Sequence, residues 1–227
     1  MPNRFIAVVR ALIALTAATG VTIDCVVGNP LVAFSFFTIW TNTAVAVVLG
    51  LGAVRAWTGR PPLPALWTGG TLLCISVVGL VFHLVLDNPS SGFDQAAAID
   101  ALTGARAVSN QLLHTVTPLG VALDWLLLTR PGAFRPRHAA LWLAAPGTYL
   151  VFSLVRGALL PAGHPTRYTY PFLDVAAHGY ADVLFNALVL GLAFYALGLL
   201  LVLADRFRPA VAGRENRISS LGAGGLK

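Results

Sequence analysis

Six apolar stretches, each about as long as a bilayer is thick, constrain this chain more than any other feature. A helix crossing the hydrocarbon layer needs about 20 apolar residues. Runs of that kind fall near 5–28, 34–56, 63–86, 107–129, 138–160 and 181–204. Charged residues make up only 11% of the chain, where a soluble domain carries about 25%, so a water-soluble globule is excluded. The runs are continuous and rich in Leu and Ala rather than alternating, which argues for helices over barrel strands. The expected fold is all-α: a polytopic membrane protein with six transmembrane helices in one bundle. That domain is expected to fill residues 1–212, with a disordered cytoplasmic tail over 213–227.

Turn-forming clusters separate the runs, among them Gly28-Asn29-Pro30, Asp87 through Gly92, and Pro161 through Pro165. Pro118 and Pro146 fall inside spans and are expected to kink them, which membrane helices tolerate. Lys and Arg are retained on the cytoplasmic side. With the N-terminus inside, twelve cations collect there (Arg4, Arg10, Arg55, Arg60, Arg130, Arg135, Arg137, Arg206, Arg208, Arg214, Arg217 and Lys227), against Arg106, Arg156 and Arg167 outside. Both termini are therefore expected in the cytoplasm and the protein in the cell inner (plasma) membrane, with its first span retained rather than cleaved as a signal. Cation placement by loop accounts for the +6 net charge without a nucleic-acid partner. Cys25 and Cys74 differ in depth by about 15 Å at the helical rise, which argues against a disulfide, and no Cys/His spacing points to zinc. No metal or other cofactor is expected.

Polar side chains at bilayer depth are costly, about 2.5–3.5 kcal/mol for the charged types, so each is a functional candidate. Several share the outer third: Thr38 on span two, His83 at the end of span three, Asn110 and His114 one turn apart on span four, Arg156 on span five and Asp182 on span six. A membrane threonine ordinarily bonds the carbonyl four residues back, and periodicity alone does not single out Thr38. A histidine seldom enters hydrocarbon without a partner, and its ordinary pKa of about 6.5 suits proton transfer. Thr41 and Asn42 read most simply as interhelical glue, Asp124 with Trp125 as an interfacial anchor, and Arg156 as a partner for Asp174 or Asp182 or a snorkelling cation.

Three stretches are familiar together. Phe36-Phe37-Thr38-Ile39-Trp40-Thr41-Asn42, Leu113-His114-Thr115-Val116-Thr117-Pro118 and Tyr168-Thr169-Tyr170-Pro171-Phe172-Leu173-Asp174 resemble, in order and spacing, motifs of the androgen-induced, FAR-type membrane protein family and its bacterial six-helix branch. The resemblance implies an intramembrane threonine hydrolase of fatty acid esters, with Thr38 as nucleophile and His114 as its base. It also implies membrane lipid as surroundings and a lipophilic ester as substrate. Asn42, Asn110, Tyr170 and Arg156 supply donor types for an oxyanion hole, and Asp174 either orients the imidazole or fixes its loop. Thr41, Asn42 and Asn110 further suggest a more polar pocket than the animal members have. The competing expectation is a non-catalytic carrier, sensor or metal-binding protein, in which His83, Asp87, His114 and Asp182 converge.

Overall fold

The computed structural model describes residues 2–164 and 166–208; the expected tail, 213–227, lies outside the described residues. Six helices are long and apolar enough to cross a membrane: α1 (Arg4–Val27), α2 (Phe37–Trp57), α3 (Ala65–Leu86), α4 (Gly104–Leu128), α5 (Pro136–Leu159) and α6 (Val175–Phe207). No strand occurs among the described residues. Large apolar side chains such as Leu184, Phe185, Leu188 and Leu192 are exposed along α6, an arrangement that water would penalise and lipid does not. The protein is an integral membrane protein.

Helix α1 meets the bundle through Ala7, Ala14, Ala17 and Gly20. These small residues let it lie close along α2 and against α4, the packing mode that replaces hydrophobic driving force inside lipid. Helix α3 sits between α2 and α4. Its Gly69 receives the Trp142 ring, a Cβ there falling 2.1 Å from Trp142 Cζ2, which seats the first part of α5 on α3. One end of the bundle gathers both termini of the described chain: Asn3 N–H donates to Ala56 O (2.9 Å) and Gly132 N–H to Asp205 O (3.0 Å). The site lies toward the other end.

The prolines act as the sequence suggests. Pro146 cannot donate to Trp142 O, and the helix of α5 breaks at Leu143 before resuming at Ala144. Pro118 cannot donate to His114 O, and the preceding turn, Leu112–Val116, is a π-turn. Another π-turn, Phe82–Leu86, ends α3. Helix α6 begins six residues before the apolar run at 181, but Gly179, at φ 77° and ψ 165°, breaks it. The long regular part therefore starts where hydropathy puts it, and only a glycine adopts such a backbone freely.

Two side chains read as an interfacial pair find partners inside the bundle. Asp124 Oδ1 accepts from Arg10 Nε at 2.9 Å, joining α1 to α4. Trp125 instead donates to Asp205 Oδ1 on α6 at 3.2 Å.

Candidate functional site

Thr38 occupies the first turn of α2, which starts at Phe37. Thr16, Thr43 and Thr148 bond the carbonyl four residues back, to Leu12, Ile39 and Ala144 respectively. Thr38 does not, because the turn before it is not part of its helix, and Phe34 O is taken by Trp40 Nε1 at 2.7 Å. The Thr38 hydroxyl is thereby released toward its neighbours. Its Oγ1 lies 3.2 Å from His114 Nε2 and 3.4 Å from the Tyr170 hydroxyl. Thr38 and Tyr170 are both buried.

His114 sits in the π-turn that Pro118 imposes on α4. Its Nδ1 lies 3.0 Å from the Asn110 carbonyl. A carbonyl can only accept, so Nδ1 carries the proton and the Nε2 lone pair faces the Thr38 hydroxyl, which donates to it. The ring is held flat against Phe82 of the other π-turn, with centroids 4.1 Å apart and planes at 20°. Gly79 admits this approach of α3 to α4, since a Cβ there would lie 3.1 Å from Pro118 Cβ and 3.4 Å from His114 O. π-turns concentrate at functional sites because the extra residue re-aims side chains.

Tyr170 comes from the connection between α5 and α6, which is fastened at several points. The Tyr168 ring fills the space left by Gly157. Arg167 Nε donates to Gly157 O at 2.7 Å, and Arg156 donates to the Thr166 and Arg167 carbonyls. Tyr149 OH donates to Ser35 O and lies 2.8 Å from Thr169 Oγ1, tying the connection to the approach to α2. Tyr170 stacks on Phe172 with centroids 5.3 Å apart. Burial pushes its phenol above the ordinary range, opposed in part by bonding to Thr38 and by the Thr38 and Phe37 backbone amides. At neutral pH it is an O–H donor.

Of the other expected roles, that of Asn42 as glue holds and several change. Asn42 Nδ2 donates to Thr38 O (2.9 Å) and Leu113 O (3.3 Å), so Asn42 is interhelical glue that fixes the backbone of both partners and offers no donor to the site. Asn110 contributes its backbone carbonyl rather than its side chain. Asp174 accepts from Ala176 N and Ala177 N, capping α6; it does not orient the imidazole. Arg156 pairs with neither Asp174 nor Asp182, its guanidinium being taken up by the Thr166 and Arg167 backbone. His83 is exposed, with Nε2 3.1 Å from Thr115 Oγ1. Among the described residues no three His, Cys, Asp or Glu side chains converge as metal ligands, so His83, Asp87, His114 and Asp182 do not form the cluster that the competing expectation requires.

A cavity of about 230 Å³ opens beside Thr38, His114, Tyr149 and Tyr170. Every other residue lining it is apolar, and Thr41, Asn42 and Asn110 are not among them. The polar pocket suggested by the sequence is thus replaced by an apolar one with a polar cap. Tyr149 is the site residue the sequence reading passed over, although a tyrosine in mid-span, obliged to find a partner for its hydroxyl, was a usable signal.

Compared with known proteins, the chain matches no family model, no curated protein and no solved structure.

Proposed function

We propose that this membrane protein is an intramembrane threonine hydrolase of lipophilic esters. The observation that carries the reading is the pair of contacts that His114 makes through its two ring nitrogens, from which its tautomer follows. With Nδ1–H committed to the Asn110 carbonyl, Nε2 is a free base 3.2 Å from a buried hydroxyl that lacks its usual helical acceptor. This is the relation of base to nucleophile in acyl-transfer sites, with a backbone carbonyl in the orienting position that a triad carboxylate otherwise fills. The resemblance of the three motifs to the androgen-induced, FAR-type family supports the same assignment.

In the reaction, Thr38 Oγ1 attacks the ester carbonyl carbon while Nε2 of His114 takes its proton. The oxyanion so formed lies about 2.7–3.1 Å from its donors in such sites, within reach of the Tyr170 hydroxyl given that group's position beside Oγ1. The ester C–O bond breaks, and the imidazolium returns the proton to the departing alkoxide, releasing an alcohol. Water, deprotonated in turn by Nε2, attacks the acyl-threonine ester, the acid leaves, and Thr38 regains its hydrogen.

The distribution of Lys and Arg supports termini in the cytoplasm and the site in the outer half of the bilayer, and the inner (plasma) membrane is the location proposed with them. A fluorophosphonate probe on the detergent-purified protein tests the dyad. Labelling is expected in the wild type and in Thr41→Ala, and is expected to vanish in Thr38→Ala and His114→Ala. A folded wild type that takes up no label, or equal labelling of all four proteins, refutes it.

A further inference from the structure

Helix α6 has 33 residues, yet only Val183 toward one end and Gly198, Val202 and Asp205 toward the other are buried. Both contact regions are tight. Near the first, Asn186 Nδ2 donates to Phe172 O at 3.4 Å. At the second, a Cβ on Gly198 would lie 3.1 Å from Ala139 Cβ, and Asp205 accepts from Phe134 N at 2.9 Å. Over the interval between Val183 and Gly198, about 22 Å at the helical rise, no residue of α6 is fully buried, and Leu190, Phe194 and Leu197 pack against the core only in part, leaving a space beside them.

That space is the cavity of the site. Ala187, Gly191 and Phe194 line it from α6, facing Leu143, Gly147 and Leu150 of α5. Helix α6 packs closely on the first part of α5, Pro136–Trp142, but makes little close backbone contact with its second part, Ala144–Leu159, which leans instead on α2, Tyr149 against Phe37 at 5.3 Å and Phe152 against Trp40 at 4.9 Å. Midway along the cleft stand Gly147 and Gly191, and a Cβ added to either meets nothing within 4 Å. Polar groups occur at one end only, where Thr38, His114 and Tyr170 meet. Leu143, Val77 and Phe194 lie toward the opposite end. A polar cap above an apolar cleft flanked by lipid-facing helices has the shape and polarity of one extended acyl chain carrying a carbonyl at its head.

We infer that the cleft between α5 and α6 admits the acyl chain of the substrate sideways from the bilayer. The chain's carbonyl lies at Thr38, its methylenes run between α3, α5 and α6, and Gly147 and Gly191 keep its path open. Leu143 and Phe194 set the length that fits. The assignment rests on the hydrolase reading for its chemistry, but the cleft itself can be tested without turnover.

Two measurements separate them. In the first, the full-length protein hydrolyses butanoyl and hexadecanoyl esters of one reporter alcohol. Gly191→Phe and, from the opposite wall, Gly147→Leu are each expected to lower the ratio of long-chain to short-chain rates by about tenfold or more, the scale on which pocket volume discriminates methylenes. Phe194→Ala is expected to raise the longest chain accepted. In the second, Thr38→Ala protein in lipid nanodiscs is photolabelled with a diazirine-bearing hexadecanoyl ester. Labels are expected on cleft residues of α5 and α6 and are expected to disappear when Gly191→Phe is added. A wild type that hydrolyses esters with a ratio unmoved by both glycine variants overturns the cleft and leaves the hydrolase standing. Absence of hydrolysis with cleft labelling that Gly191→Phe abolishes overturns the hydrolase and leaves the cleft. Labels spread over the lipid-facing surface and indifferent to Gly191→Phe overturn the cleft directly.

Discussion

Thr38 owes its free hydroxyl to where its helix starts. One turn later it would have had a carbonyl four residues back, as Thr43 has in Ile39, and its hydroxyl would have been engaged there. Tyr170 is the second residue whose chemistry turns on one oxygen. Tyr170→Phe removes the O–H while leaving the ring stacked on Phe172. On the proposed reaction kcat falls about 10²-fold, the usual loss for one oxyanion donor, with KM little changed, and steady-state kinetics on a chromogenic ester checks it. A loss confined to KM would assign Tyr170 to binding instead. At this scale the sequence made Thr38 and His114 legible through shared depth and motif. It did not reveal what orients the imidazole. Asp174 was the natural candidate because carboxylates can be read from a sequence. The carbonyl of Asn110 does the orienting, and every residue carries a carbonyl, so nothing in the letters distinguishes that one. Asn42 takes the interhelical role that was its simplest reading, and the alternative of a donor to the site is closed by the pairing with Leu113 O, which depends on how α2 and α4 meet.

The elements that carry the site are irregular, and the irregularity at His114 has a cause in the sequence. Pro118 denies its hydrogen bond to His114 O, and the chain answers with a π-turn centred on the histidine. Gly79 lets α3 close on that same carbonyl. Pro118→Ala keeps the Cβ that Gly79 packs against but restores the missing donor, so the turn can relax to regular α-helix. Each residue gained or lost at a bulge rotates the following side chains by about 100°, which separates the imidazole from Thr38. Esterase activity is expected to fall about 10²-fold, as misplacement of a reacting group by an ångström can cause, while the thermal midpoint stays at or above that of wild type. A variant with full activity would show that the π-turn does not aim His114. Span positions were readable because hydropathy reports burial in lipid directly. The break at Gly179 and the two π-turns were not, since hydropathy averages over single residues.

On the scale of the whole molecule, the helices are held unequally, and this governs what breaks them apart. Helix α1 distributes its contacts over small residues from Ala7 to Gly20, so its ion pair to Asp124 is one attachment among many. Arg10 also retains some exposure, with 15% of its side chain accessible, and can extend toward water if its partner is lost. Helix α6 has four buried positions, and Asp205 is the one that binds polar groups from elsewhere in the fold. Its carboxylate, wholly buried, accepts from Trp125 Nε1, Phe134 N and Arg208. Asp205→Ala leaves the Arg208 guanidinium and the Phe134 amide without that acceptor, and removing one member of a buried ion pair costs about 3–5 kcal/mol. Thermal unfolding in detergent is therefore expected at markedly lower temperature for Asp205→Ala, and at a smaller displacement for Asp124→Ala. The same loss frees the end of α6 that holds the 130–134 connection, so Asp205→Ala should also expose that connection to protease while the α1 to α2 contact persists. The reverse order of stabilities would mean that α6 is held mainly by lipid and by its contacts near Val183, leaving the anchor at Asp205 incidental.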